Sequence, residues 1–363
     1  MSDHSRLLNL EEFEPAAAAR LPQMVFDYFA GGAGDEGTLR ASRSAWNDVA
    51  LRYRVLRDVS QRSLATTVLG EALAFPLLVA PMAFQRMAHP DGELATVRAA
   101  HDVGAGMILS TFATASIEEV RSASSGPLWF QLYIFRDRDL SRALVERAAR
   151  AGCSALVLTV DSPLLGRRER DLRNGFHVPE NMPVPNLSGD PRLTLAGGGG
   201  IAGASALARF VDEFEDASIS WQDLAWLRSI TDLPILVKGI VRGDDARLAL
   251  DHGAAGVIVS NHGGRQLDGA IPTARALPEV ANAMAGAGTL LVDGGIRRGT
   301  DVIKALALGA QAVLVGRPVL WGLALGGVAG ARRVLELLRD ECSLALALAG
   351  CRTPQEVTRD FVA

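Results

Sequence analysis

Eight short apolar runs recur along the 363-residue chain, and their number and spacing restrict its fold more than any other feature. They are FPLLVAPMA from Phe75, GMILSTFAT from Gly106, PLWFQLY from Pro127, ALVLTVDSP from Ala155, PILVKG from Pro234, GVIVSNHGG from Gly256, TLLVDGG from Thr289 and AVLVGRP from Ala312. Each is nearly continuous in apolar, β-branched residues, as parallel strands buried on both faces require. Amphipathic helical patterns separate them, as at 139–152 and 300–310, and Gly152, Gly253 and Gly309 fall where helices should end. Eight strand–helix units predict an α/β fold, a (β/α)8 TIM barrel over 75–340; an open doubly wound sheet permits the same alternation but seldom so many units. Residues 1–70 are expected to form a helical N-terminal extension. Residues 166–219, with the AGGGG stretch, are expected to be a lid inserted after the fourth strand. A single domain over 1–363 follows.

Composition narrows the function classes. At 48% hydrophobic and 21% charged residues the chain is globular. A net charge of −4 and only 6% aromatics leave no basic or stacking surface for nucleic acid or an anionic membrane. Cys153, Cys342 and Cys351 form no CxxC pair, and the acidic N-terminus lacks a signal-peptide pattern, so a cytoplasmic location with reduced thiols is expected. The apolar stretch 312–330 is interrupted by Arg317-Pro318 and reads as a buried strand and helix, not a membrane span. No HExxH motif or paired His/Cys spacing marks a metal site.

The polar residues carry the functional signal. Seven of the eight runs end in reactive side chains: Ser110 and Thr111; Gln131 and Tyr133; Thr159 and Asp161; Lys238; Ser260, Asn261 and His262; Asp293; Arg317. In a barrel these are C-terminal strand ends, where active sites form. The first run ends in Ala80-Pro81-Met82-Ala83, whose backbone suits close approach to a flat ligand. In DGGIRRG and VGRP, Gly294, Gly295 and Gly316 offer backbone N–H groups beside Arg297 and Arg317, so a phosphorylated ligand is expected. In SNHGGRQLDG, His262 with Arg265 suits a general base beside a bound carboxylate. Within GRRERD, Arg168 reads as a second cation at the barrel mouth, and Arg167, Glu169 and Arg170 as a solvated turn. His4, His89, His101, His177 and His252 read as structural. A flavin-free sugar-phosphate barrel or an inactive scaffold would share the alternation, but neither requires His262, Arg265, Arg168, Asp161 and Lys238 together.

The motifs SNHGGRQLD, LTVDSPLLGRRE, LPILVKG and DGGIRRGTDVIKALALGA resemble those of the FMN-dependent L-2-hydroxy-acid oxidase and dehydrogenase family, which includes glycolate, lactate, and mandelate or hydroxymandelate oxidases. The resemblance runs from about Leu21 to Cys351. It implies FMN at the C-terminal mouth, with His262 as catalytic base and Asp161 supporting its imidazolium. Arg168 and Arg265 would bind the substrate carboxylate, Tyr28 and Tyr133 would contact substrate, and Lys238 would stand beside the flavin N1 and O2. Pro81, Met82, Ala83, Ser110, Gln131, Thr159 and Ser260 would contact the isoalloxazine and ribityl parts. Asp293, Gly294, Gly295, Arg297, Gly316 and Arg317 would contact ribityl and phosphate. The base would take either the hydroxyl proton, with hydride transfer, or the α-proton by a carbanion route. Phe112 stands where glycolate oxidases carry Trp, and Met82 where they carry Thr. STFATAS, FQLYIFRD and RERDLRNGF lean toward the mandelate and hydroxymandelate enzymes, so an aryl or medium-chain L-2-hydroxy acid is expected, with lactate or glycolate as the short-chain alternative. Molecular oxygen, giving hydrogen peroxide, is the expected acceptor, consistent with Ala83; a quinone or other carrier is the alternative. The resemblance also implies a homotetramer, with Trp321 and Leu325 as contact or core residues.

Overall fold

The structure, a computed structural model, describes residues 4–187 and 205–363. After an antiparallel hairpin, β1 (Thr66–Val68) and β2 (Glu71–Leu73), come eight barrel strands: β3 (Leu77–Val79), β4 (Gly106–Leu109), β5 (Leu128–Leu132), β6 (Leu156–Thr159), β7 (Ile235–Ile240), β8 (Gly256–Val259), β9 (Thr289–Val292) and β10 (Ala312–Val315). They run parallel in chain order, and β10 pairs back onto β3, aligning Val313 with Leu77 and Val315 with Val79. The predicted eight-stranded barrel is therefore present.

Helices α1 (Phe13–Ala18), α2 (Gln23–Ala30) and α3 (Gly37–Ser44) precede the barrel. Then come α4 (Gly92–Asp102), α5 (Ile117–Ser122), α6 (Arg138–Ala151), α7 (Glu169–Arg173), α8 (Ala206–Phe214), α9 (Trp221–Ile230), α10 (Gly243–Asp251), α11 (Thr273–Met284), α12 (Gly299–Ala307) and α13 (Arg317–Ala349), of which α7 and α8 lie at the C-terminal mouth and the others around the barrel. Local sequence sets several of their ends: Asp137 caps α6 by accepting the N–H groups of Asp139 and Leu140, and Gly152 closes that helix in the left-handed region at φ 88°. The final helix runs to Ala349, beyond the expected boundary at 340, and kinks at Gly326 and Gly327.

Two sets of side chains alternate along each strand. One set, Leu78, Ile108, Trp129, Val157, Leu236, Ile258, Leu291 and Leu314, fills the barrel interior as a ring no more than 1% exposed. Val68 and Leu73 of the hairpin join this ring from the N-terminal end. The extension is thus not helical throughout: the hairpin straddles its expected boundary at 70 and seals the barrel floor. Burial of these two apolar side chains beneath the ring accounts for a hairpin too short to persist alone.

The extension docks over the opposite, C-terminal mouth. Backbone meets backbone there: a Cβ on Gly264 would lie 2.6 Å from the Leu39 nitrogen, and one on Gly295 would lie 1.8 Å from the Ser42 oxygen. Both glycines also have positive φ, 74° and 82°. Asp268 accepts the Thr38 and Asp35 N–H groups at 2.7 and 3.0 Å, fixing the start of α3. Arg170, expected in a solvated turn, instead ties α7 to the extension through Glu36 at 2.6 Å and Asp27 at 3.3 Å. The histidines read as structural are not core groups: His101 and His177 are exposed, and His4 lies against Gly326. Trp321 and Leu325 are both buried in the chain's own core. The AGGGG part of the expected lid lies outside the described residues. No helix among the described residues is long and apolar enough to cross a membrane.

If the hairpin closes the interior ring, Leu73→Ala should lower the unfolding free energy by about 2–4 kcal/mol. Urea denaturation of the purified protein checks this, and a loss below about 0.5 kcal/mol, typical of surface positions, would refute the role.

Candidate active site

The interior ring determines what stands above it. Because strand side chains alternate, the residue two beyond each ring member also faces inward: Ala80, Ser110, Gln131, Thr159, Lys238, Ser260, Asp293 and Gly316. All eight line one cavity of about 1220 Å³ except Ser260, which lies beneath it bonded to Lys238. Pro81, Met82, Ala83, Tyr28, Tyr133, Arg168, His262, Arg265, Gly294, Gly295, Arg297 and Arg317 line the same cavity. Asp161 reaches it through His262.

This upper layer is polar and incompletely satisfied. Lys238 Nζ donates to Ser260 Oγ at 3.0 Å and pairs with Asp293 Oδ2 at 3.3 Å. Burial opposes the ammonium charge, but Asp293 and Asp161 outweigh it and raise the lysine pKa, so Lys238 is a fixed cation. Gln131 Nε2 and Asp293 Oδ1 are buried with no partner among the described residues. Buried polar atoms normally find one, and an edge presenting acceptors and donors, as a flavin ring and ribityl chain do, would supply both. Arg297 and Arg317, close enough to act on each other's charge, would hold the phosphate of such a ligand. Burial lowers the Arg297 pKa to about 10, and neither guanidinium forms an ion pair among the described residues. Arg317 donates to the carbonyls of Phe29, Gly31 and Gly263, which orient it without neutralising it. The donor set therefore fits FMN. Gly295 has a reason the sequence did not reveal, since its missing side chain admits the extension.

Across the cavity stands the reactive group. His262 takes φ 57°, left-handed and unusual for a non-glycine residue; such backbone costs about 1–3 kcal/mol and clusters at functional sites. Its Nδ1 lies 2.8 Å from Asp161 Oδ1, and its backbone N–H donates to Ser260 Oγ at 3.1 Å. Burial, with Lys238 and Arg168 adding to it against the opposing pull of Asp161, lowers the His262 pKa. Burial alone would raise Asp161, but His262 and Lys238 keep it below its ordinary value. The pair is thus a neutral imidazole beside an ionised carboxylate, with Nε2 left free for the cavity.

Arg168 and Arg265 complete this side. Arg168 is buried, held by the Arg265 carbonyl and Gln266 Oε1, both at 3.4 Å. Arg265 is held by the Tyr28 and Gly31 carbonyls and lies 4.9 Å from the centre of the Tyr28 ring. Burial lowers Arg168 to about 10, with Arg265 adding to the effect. Neither arginine has an ion-pair partner among the described residues, so two adjacent positive charges await an anion. Tyr28 stacks on Phe176 at 4.1 Å, and Tyr133 sits 5.5 Å from Phe112. Sequence reasoning missed Phe176, Gln266, which bonds the backbone at 161, 164 and 166, and the buried carboxyls of Asp171 and Glu215. Gln266 lay inside SNHGGRQLDG, Asp171 inside GRRERD and Phe176 inside RERDLRNGF; Glu215 alone of these lay outside every motif singled out.

A barrel with a phosphate end, a fixed cation at its centre, and a base facing paired arginines defines a flavin-dependent oxidoreductase acting on a carboxylate-bearing substrate. The comparisons agree: residues 17–363 match the model of the FMN-dependent dehydrogenase family, and the chain belongs to it, among its 2-hydroxy-acid oxidases. It is 52% identical to an L-lactate oxidase of Nostoc sp., covering all of both chains. It is 49% identical to a glycolate oxidase of Spinacia oleracea, over 98% of this chain and 96% of that one. A crystal structure of mandelate oxidase with (S)-4-hydroxymandelic acid superposes with a TM-score of 0.93 at 44% identity, over 98% of both chains.

A base must be neutral to act, so activity falls as pH drops through the His262 pKa. With that pKa lowered, the acid limb of kcat/KM should have its midpoint below the ordinary histidine value of about 6.5. Asp161→Asn removes the group that raises it, so the midpoint should move further toward acid while kcat falls on the order of 100-fold or more. A limb above about pH 7 in the unmodified enzyme would contradict the assignment.

Proposed function

We propose that this chain oxidises an L-2-hydroxy acid with an aryl or medium-length side chain to the 2-oxo acid, with molecular oxygen taking the electrons and leaving as hydrogen peroxide. The observation that carries the reading is the pair of unneutralised guanidiniums, Arg168 and Arg265, lining one cavity with the His262–Asp161 couple. Bound FMN supplies the two-electron acceptor.

The chain's own groups do the rest. Arg168 and Arg265 grip the carboxylate with forked donors and thereby fix which face of the α-carbon is presented. His262 takes a proton at Nε2, and Asp161 lowers the cost of the imidazolium that forms. Tyr28 and Tyr133 border the substrate space, and the charge of Lys238 favours negative charge accumulating at the cavity centre. Phe112, Leu165, Leu207 and Val211 supply an apolar wall, which supports a side chain larger than that of glycolate. The 52% identity to the Nostoc L-lactate oxidase favours a second reading, a short-chain substrate.

Steady-state turnover of mandelate, 2-hydroxyoctanoate, lactate and glycolate, with oxygen uptake and peroxide measured together, separates these readings. The expected outcome is highest kcat/KM on a larger acid and one peroxide per substrate. Glycolate or lactate as best substrate would refute the chain-length reading, and oxygen-independent turnover with a dye or quinone would refute the acceptor. His262→Gln should retain FMN and bind substrate yet lose 10²–10⁴-fold in anaerobic flavin reduction. Reduction at a near-unchanged rate would remove His262 as base.

A further inference from the structure

One cavity-lining group has no task in the chemistry above. Glu215 follows α8, is 5% exposed, and lines the cavity beside Leu207 and Val211. Its backbone is firmly held. The Glu215 N–H donates to the Val211 carbonyl at 3.0 Å, and a bridge joins it to Phe135, two residues after Tyr133. On either side, Asp216 N–H donates to Ile134 and Arg136 N–H to Phe214, at 3.0 and 2.9 Å. Arg136 Nε also donates to the Glu215 carbonyl at 3.3 Å. The side chain is the opposite case: its carboxyl makes no hydrogen bond or ion pair among the described residues. Tyr133 and Arg168, the two substrate-side groups nearest in electrostatic terms, both sense it.

A buried carboxyl without a partner is rare enough to need a reason. Its carboxyl borders the cavity and has no partner on the protein side among the described residues, so the partner it lacks would arrive with a ligand. We propose that Glu215 is a specificity-determining residue that reads the far end of the substrate side chain, and that the preferred substrates are 2-hydroxy acids carrying a second, terminal hydroxyl, aliphatic or phenolic. This rests on the 2-hydroxy-acid reading of the site and specifies its substrate class. Arg168 and Arg265 hold the carboxylate end, which directs the side chain toward the wall formed by Phe112, Leu165, Leu207, Val211 and Glu215. Burial pushes the Glu215 carboxyl up to about 8, so near neutrality it is mostly protonated and both donates and accepts. A hydroxyl matches both roles. A terminal ammonium would require the ionised carboxylate and would itself be repelled by the Arg168 guanidinium. A terminal carboxylate would add a second buried anion with only one neutral donor facing it.

The test uses FMN-loaded enzyme, unmodified and as Glu215→Leu and Glu215→Gln, with matched S acids: 2-hydroxybutanoate against 2,4-dihydroxybutanoate, and 3-phenyllactate against 3-(4-hydroxyphenyl)lactate. Analogues ending in ammonium and carboxylate complete the panel. Kd for the matching 2-oxo acids is read separately from the change in flavin absorbance on binding. The expected result is a preference on the order of 10-fold in kcat/KM for the hydroxylated member of at least one pair, expressed mainly in KM and mirrored in Kd. Glu215→Leu should reverse that preference, and Glu215→Gln, which still donates and accepts, should retain part of it. Equal use of both members by the unmodified enzyme overturns the proposal, as does an unchanged preference in Glu215→Leu or a best substrate ending in ammonium or carboxylate. Those results leave the 2-hydroxy-acid reading standing; failure of every acid to reduce the flavin overturns both.

Discussion

Closure of the barrel through the β10–β3 ladder is the constraint from which the site follows. Once Leu314 is aligned with Leu78, the strand period leaves each chain segment only one choice of inward face. The apolar ring then forms a dry floor, and the next inward residues become the walls of the cavity above it. A register slip of one residue on any strand would exchange a wall residue such as Lys238 or Asp293 for one meant to face the helices. Fold stability and site chemistry are thus one pattern read at two heights along the same strands.

The second organising principle is electrostatic. Arg168, Arg265 and Arg317 donate chiefly to backbone carbonyls, which hold direction but cancel no charge. Carboxylates in the same places would orient the guanidiniums equally well and leave nothing for a ligand. Where the chain does pair opposite charges, at Lys238 with Asp293 and His262 with Asp161, the pairing sets a protonation state. Because these charged side chains are themselves largely buried, both arrangements act more strongly than they would at the surface.

Much of this was legible in the sequence because short parallel strands are continuous apolar runs, and their ends are marked by whatever reactive residue follows. Other features were hidden for physical reasons. The Thr66–Leu73 hairpin has strands of only three residues, TTV and EAL, too brief for periodicity to register, and its turn through Leu69 and Gly70, both at positive φ, offers a single glycine as its signal. Arg170 sits in a run of mixed charge that resembles a solvated turn, and its partners Asp27 and Glu36 lie more than 130 residues away. The His262–Asp161 contact spans 101 residues and came from resemblance, not spacing. Glu215 lies in the acidic string DEFED, which reads as a wet helix end; only the bridge to Phe135 turns it inward.

The extension meets the barrel mouth through absent atoms as much as present ones. At Gly264 and Gly295 the neighbouring backbone occupies the space where a side chain would begin, so no repacking of nearby residues could make room for one. An interface built from side chains can drift, each loss answered by a gain elsewhere. One built from backbone against backbone has no such slack, and it holds Tyr28 over the cavity with a reach that residue-by-residue change cannot easily lengthen.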